Sequence, residues 1–208
     1  MLRKQLLDTS RGRIVTLLQR GPLTVDDVAA KLRLTVNAVR VQITAMERDG
    51  VVQRAGQRPG ATRPSSIFEL TPEVEQLLSR AYIPFLTQLV RVFANGLPQD
   101  QVEAFFREAG KGVAEELALR RPASGDLRTR VKIASDTFNE ELGAITHVEE
   151  NTGFVIRGQG CPLAAVTGKH PAVCRAMESL IAQIVAVPVS ECCDRSDRPK
   201  CCFRIEPH

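Results

Sequence analysis

Residues 24–54, TVDDVAAKLRLTVNAVRVQITAMERDGVVQR, decide the architecture of this chain. Thr24 is placed as a helix N-cap, and Asp27, three residues on, completes a capping box with the shorter acid. Val25, Val28, Ala29 and Leu32 then form one apolar face. Arg33-Leu34 breaks that helix and Thr35 supplies a second N-cap. The next helix, Val36 to Asp49, carries Val39, Ile43 and Met46 at i, i+4 and i+7, so these three face a core. Gly50 stands where a C′ glycine closes a helix. Upstream, Arg11 to Arg20 carries Ile14, Leu17 and Leu18 at helical spacing and stops at Gly21-Pro22.

Two short helices, a tight turn and a third helix make a helix-turn-helix. Val51–Arg54 and Ser66–Leu70 read as strands. The intervening Ala55–Pro64 is rich in Gly, Pro and Arg and contains no acid, so the three pieces form a β-hairpin wing. A major groove admits one α-helix. The buried stripe of the third helix turns Val36, Asn37, Arg40, Val41 and Thr44 outward, with Thr35 at its start. Arg40 suits guanine, Asn37 adenine, and Val36 or Val41 a thymine methyl. Arg54, Arg58 and Arg63 of the wing suit phosphates or a minor groove, which position rather than specify. For any single side chain a merely solvated surface role is the alternative. For the helix as a whole, double-stranded DNA is the expected partner.

Charge agrees with this division. Residues 1–70 hold 12 Lys/Arg against 6 Asp/Glu, while the remainder holds 16 against 18. A basic first third fits a polyanion-binding module joined to something else. One Tyr and no Trp argue against base stacking on aromatic platforms. No apolar run follows Met1-Leu2-Arg3-Lys4, so no secretory signal is read. Leu180–Val189 is too short to span a bilayer. A cytoplasmic protein is expected, without membrane contact.

Beyond Thr71-Pro72, residues 73–94 read as one helix kinked at Pro84, with Leu77, Leu78, Tyr82, Phe85, Leu86, Leu89, Val90 and Phe93 on an unusually wide apolar stripe. That width points to a homodimer interface, because helix-turn-helix proteins usually bind palindromic sites as two-fold dimers; an intramolecular core is the alternative. Helices are expected over 99–121 and 126–142. Gly110 and Gly112 lie inside the first of these at a cost to helix stability, which close packing would explain.

All six cysteines fall within the last 48 residues: Cys161, Cys174, Cys192, Cys193, Cys201 and Cys202. Strands over 145–148 and 153–157, a helix over 171–186 and two further strands around a polar 194–200 turn make a small ββαββ domain. Cys174 lies in the first turn of its helix, where the macrodipole should lower its pKa. Strand alternation sends the members of each cysteine pair to opposite faces, so one of each should face a shared site. No Cys-x-x-Cys occurs, which disfavours zinc ribbons and thioredoxin-like chemistry. Twelve residues separate Cys161 from Cys174 and seven separate Cys193 from Cys201. Clustered thiols in a reducing compartment point to soft-metal ligation, with Cys161, Cys174, Cys193 and Cys201 as the leading set and Cys192 and Cys202 as lesser candidates. Zinc and a thiol–disulfide switch remain open alternatives, the latter because neighbouring thiols can resolve one another. No nucleotide loop, nucleophile–base pair or acid pair is present in a pattern that marks an enzyme.

The residues Thr35–Arg40, Met46–Val52 and Arg63–Thr71 resemble bacterial winged-helix regulators of the ArsR/DeoR type. In the other half, Gly160-Cys161-Pro162-Leu163, His170-Pro171-x-x-Cys174 and Cys193 through Cys201-Cys202-Phe203-Arg204-Ile205 resemble SufR-type regulators. That resemblance covers nearly the whole chain. It implies a dimeric repressor carrying one iron–sulfur cluster per subunit, 4Fe–4S or 2Fe–2S, with Cys161 and Cys174 as ligands. The last ligand falls on Cys201 or Cys202, Cys201 being preferred. The fourth is open: Cys193, Cys192, a non-cysteine group or a small thiol. The expected fold is therefore α+β: a winged helix-turn-helix over 1–71, a helical dimerisation segment over 72–142 and a cysteine-rich sensor domain over 143–208.

Overall fold

The computed structural model describes residues 8–60, 63–118, 124–196 and 198–206. The chain divides into two compact units, 1–80 and 81–208.

The first unit is α1 (Ser10–Leu18), β1 (Leu23–Thr24), α2 (Val25–Leu32), α3 (Val36–Arg48), β2 (Val52–Arg58), β3 (Ser65–Leu70) and α4 (Pro72–Leu78). The starts of α1, α2 and α3 are each fixed by a side chain. The Thr9 hydroxyl accepts from the Gly12 amide, and the Thr35 hydroxyl accepts from the Ala38 amide. Thr24 and Asp27 form the expected reciprocal capping box, at 3.0 and 3.2 Å. Arg33 ends α2 in the left-handed region, which makes the tight turn into α3. Val39, Ile43 and Met46 are fully buried and pack with Ile14, Leu18, Val28, Val52, Phe68 and Leu70. The sheet is antiparallel in the order β1-β3-β2. The two-residue β1 carries no periodic signal and was not expected. β2 also runs four residues beyond the expected strand, through a bulge between Arg54 and Gly56, so Gly56, Gln57 and Arg58 of the anticipated wing loop are paired backbone. Ala61 and Thr62 lie outside the described residues.

Asp27 serves two elements. Its carboxylate accepts the Thr24 amide and pairs with Arg58 of β2 at 2.9 Å. These contacts, the Thr24 backbone bond foremost, hold its pKa down at about 2. A carboxyl depressed in the folded state contributes stability above its unfolded pKa, and that contribution is lost as pH falls through the folded value. Asp27→Asn is therefore expected to cost about 1 kcal/mol at pH 6. The deficit should shrink as pH falls towards 2 and vanish only below it, as read from unfolding curves of both proteins at each pH.

The second unit holds α5 (Tyr82–Gly96), α6 (Gln99–Ala118), α7 (Leu127–Glu140), β4 (Thr146–Glu150), β5 (Phe154–Gly158), α8 (Ala164–Thr167), a 3-10 turn (Pro171–Val173), α9 (Cys174–Val185), β6 (Val189–Glu191) and β7 (Cys202–Ile205). The antiparallel sheet order is β4-β5-β7-β6. The anticipated ββαββ order is present, with α8 and the 3-10 turn inserted ahead of α9. One core runs from Val90 of α5 through Val131 and Phe138 of α7, Ile156 of β5 and Leu180 and Ile181 of α9 to Phe203 and Ile205 of β7. The helices and the cysteine-bearing sheet, set down as separate segments from sequence, thus share a core. Val74 and Leu78 of α4 pack instead with the first unit. The single kinked helix of 73–94 is two helices, broken at Ser79–Ala81. Pro84 sits in the first turn of α5, where its missing N–H costs nothing. Leu119–Arg121, the expected end of α6, lie outside the described residues.

The two α6 glycines differ. A Cβ on Gly110 would stand 2.1 Å from the Ala176 carbonyl oxygen of α9, whereas one on Gly112 meets nothing within 4 Å. Close packing accounts for Gly110 alone. Gly110→Ala is expected to destabilise by about 2–3 kcal/mol through overpacking. Gly112→Ala is expected to stabilise by about 0.5–1 kcal/mol through helix propensity. Denaturant unfolding of the two variants separates them by sign.

Candidate thiol centre and nucleic-acid interface

Four cysteines are free, Cys161, Cys174, Cys193 and Cys201, and they come from four separate pieces of chain. Cys161 follows β5 on the loop 158–160. That loop is stitched to the start of β7, since the Gly158 amide donates to the Cys201 carbonyl at 2.8 Å and the Cys201 amide donates to Gly160 at 3.3 Å. A Cβ on Gly158 would lie 2.8 Å from the Gly160 oxygen and 3.2 Å from the Cys201 Cβ, so this approach requires glycine. Cys174 opens α9, and Cys193 follows β6.

The thiols follow one another in space: the Cys174 and Cys193 sulfurs lie within 4.8 Å of each other, the Cys193 sulfur accepts the amide of Cys202, next to Cys201, at 3.2 Å, and the backbone ahead of Cys161 is bonded to Cys201. Neighbouring sulfurs set their acidity. Cys201 lowers Cys161 to about 7, aided by the Thr167 hydroxyl. Cys161 in turn, with burial, pushes Cys201 up to about 12. Cys174 lowers Cys193, but Cys201 and burial outweigh it and leave Cys193 at about 12. Cys174 is raised by Cys193 and by burial, so the expectation that its helix terminus would lower it is overturned. A half-exposed partial charge at a helix end is weaker than burial plus a neighbouring sulfur.

Cys192 and Cys202 are joined in a disulfide across the β6–β7 hairpin, with Cα atoms 4.9 Å apart. The division of each pair follows strand alternation as expected. A reducing setting was expected to disfavour stable disulfides, with a thiol–disulfide switch as the alternative; Cys192 and Cys202 form a disulfide. Bonded to each other, neither Cys192 nor Cys202 offers a thiolate. Cys201, Phe203 and Ile205 are all buried in the core, so Cys201 lies where the core meets the row of thiols.

Two residues in this region were not anticipated. Glu191 is only 7% exposed; one carboxylate oxygen accepts the Cys193 amide at 2.8 Å and the other pairs with the Arg195 guanidinium. Arg195 also draws the Cys174 pKa down and is the cation beside these thiols. The Cys174 and Cys193 sulfurs and a Glu191 oxygen all lie within 4.8 Å of one another. The signal for Glu191 was its two-residue spacing from Cys193, which puts both on one strand side. His147 lies on β4 against Glu149, apart from these thiols, and His170 precedes the 3-10 turn.

In the first unit, Thr35, Val36, Asn37, Arg40, Val41 and Thr44 are all exposed. Arg40, Thr44, Arg54 and Arg63 line a cleft of about 490 Å³ between α3 and the hairpin. Arg54 pairs with Glu47 at 2.9 Å and Arg58 with Asp27, while among the described residues neither Arg40 nor Arg63 forms an ion pair. Arg40 is thus the α3 cation ready for an external partner.

Comparison with known proteins bears on the first unit. Residues 3–58 match the model of the DprA winged helix domain. No curated protein matches the chain. Among solved structures, a double mutant of Lactococcus lactis ZitR in apo form is similar at 14% identity, covering 55% of this chain and 86% of that one, with a TM-score of 0.30. At that identity and TM-score the likeness adds nothing to the reading of either site.

Proposed function

We propose that the chain is a DNA-binding transcriptional regulator, a repressor, that senses iron–sulfur or redox status through a centre held by Cys161, Cys174, Cys193 and Cys201. One observation carries this reading: four free thiols from four segments are gathered in one place, Cys174 beside Cys193, Cys193 against the Cys201–Cys202 backbone and the Cys161 loop bonded to Cys201, in the same chain as a winged helix with an exposed Arg40 that forms no ion pair among the described residues. The donor set fits. It is all sulfur, partly or fully buried, and backed by a guanidinium that offsets thiolate charge. A bound cluster supplies electron exchange and lability to oxidants. The protein's part is to hold Cys161 and Cys201 together through the 158–160 backbone bonds. Because Cys201 is also a core residue, the state of the centre bears on β7 and on α9 beneath it.

Two copies on a palindromic operator complete the reading. α5 buries only Val90 and exposes Tyr82, Ile83, Phe85, Leu86, Leu89 and Val92, an apolar face suited to a second copy. Among the described residues no helix is long and apolar enough to cross a membrane. The second reading, zinc or a thiol–disulfide switch in place of the cluster, is favoured by the Cys192–Cys202 disulfide and by the Glu191 carboxylate among the thiols. The test is operator affinity of anaerobically loaded against metal-stripped protein. A difference of tenfold or more, about 1.4 kcal/mol, is expected. Equal affinities contradict the sensor role.

A further inference from the structure

We propose that Cys174, Glu191 and Cys193 form a divalent-metal subsite of the zinc class, which competes with the four-thiol centre for its two shared sulfurs. The inference rests on the reading of these thiols as metal-holding and goes beyond it by giving one end of the row a different ligand.

Geometry selects these three. Their donor atoms lie within 4.8 Å of one another, and Cys161 is not among them. Donors on one tetrahedral ion stand about 3.5–4 Å apart, given metal–ligand bonds of about 2.0–2.3 Å, so small side-chain rotations close the set. Charge selects the same three. Two thiolates and one carboxylate carry three negative charges; a divalent ion and Arg195, which pairs with Glu191, carry three positive ones. The assembly is neutral in a largely buried place, where uncompensated charge is costly. A divalent ion on all four thiolates, with Glu191 and Arg195 still adjacent, leaves two negative charges uncompensated. Three protein ligands also leave a fourth position for water, the mark of an exchangeable zinc site rather than a closed structural one. On binding, two S–H protons leave to solvent as two metal–sulfur bonds and one metal–oxygen bond form. Nothing is oxidised. Glu191 keeps the Cys193 amide on its other oxygen and so stays oriented. An abundant divalent ion would thereby block assembly of the four-thiol centre without touching Cys161.

The test uses the full chain, with its free thiols reduced and stripped of metal, titrated with cobalt(II) and then zinc. One ion per chain is expected, with sulfur-to-cobalt absorption of two thiolates. Zinc saturation should protect Cys174 and Cys193 from iodoacetamide while Cys161 still reacts. Glu191→Gln should weaken zinc at least tenfold and leave iron loading intact, and Cys161→Ala should do the reverse. Protection of Cys161 by zinc in the unmodified chain would overturn the proposal, as would unchanged zinc affinity in Glu191→Gln. A chain that takes zinc in this pattern but never iron retains the subsite and loses the iron–sulfur reading.

Discussion

Cys161→Ala is expected to reduce iron retained after anaerobic reconstitution at least tenfold, while Cys192→Ser and Cys202→Ser, singly or together, leave it within twofold. The contrast follows from where the sulfurs sit. Cys161 is half-buried on a loop held by backbone bonds to Cys201, so removing its sulfur subtracts a donor and leaves the β5–β7 pairing in place. Loss of one ligand from a four-sulfur set removes a metal–thiolate bond that nothing nearby replaces, since the neighbouring Thr167 hydroxyl is a far weaker soft-metal donor. Cys192 and Cys202 bond each other across the hairpin. Their loss removes a clip, not a ligand, and should appear in stability. Closing a short loop of about ten residues is worth roughly 2–3 kcal/mol in the chain-entropy account. Iron content and thermal unfolding of the same samples should therefore move independently. Iron loss in the Cys192 and Cys202 variants comparable to that in Cys161→Ala would mean that those sulfurs are ligands after reduction.

The second large effect belongs to Arg40. Arg40→Ala should weaken operator binding by about 1–3 kcal/mol, roughly fivefold to 150-fold, and relax base preference at one position. Arg40 is exposed on α3, borders the cleft and has no acidic partner among the described residues. Arg54 and Arg58 differ because each already pairs with an acid, Glu47 and Asp27. Recruiting either to phosphate breaks an existing pair. Arg54→Ala should therefore cost less than Arg40→Ala and lower the salt slope by about one unit without changing base preference. Fluorescence anisotropy across a salt series with operator and scrambled duplexes reads both quantities. An Arg40→Ala loss that is equal on both duplexes would make Arg40 a phosphate contact.

Much of the first unit was legible because its signals are local. The Thr24, Thr35 and Gly50 boundaries and the Val39, Ile43 and Met46 stripe each depend on residues within one or two turns. β1 was not legible, since two residues have no period and Leu23-Thr24 becomes a strand only by pairing with Ile67 and Phe68. The break at Ser79–Ala81 was hidden because apolar residues continue through it at helical spacing. In the second unit, alternation correctly separated Cys193 from Cys192 and Cys201 from Cys202. It could not show that Cys192 and Cys202 would meet across the hairpin, which depends on register. The acidity of Cys174 was misjudged for the same reason. The helix terminus is visible in sequence, whereas Cys193 arrives from a strand 19 residues away. Glu191 and Arg195 gain their significance only once the hairpin folds them against α9.

The convergence of four sulfurs on one centre is tested most directly by iron and acid-labile sulfide assays, with visible absorption, on full-length protein purified without oxygen. Coloured protein with near-equal iron and sulfide per chain, lost in Cys161→Ala and kept in the Cys192 and Cys202 variants, is the predicted result. Colourless protein that takes up neither element on anaerobic reconstitution would contradict the account.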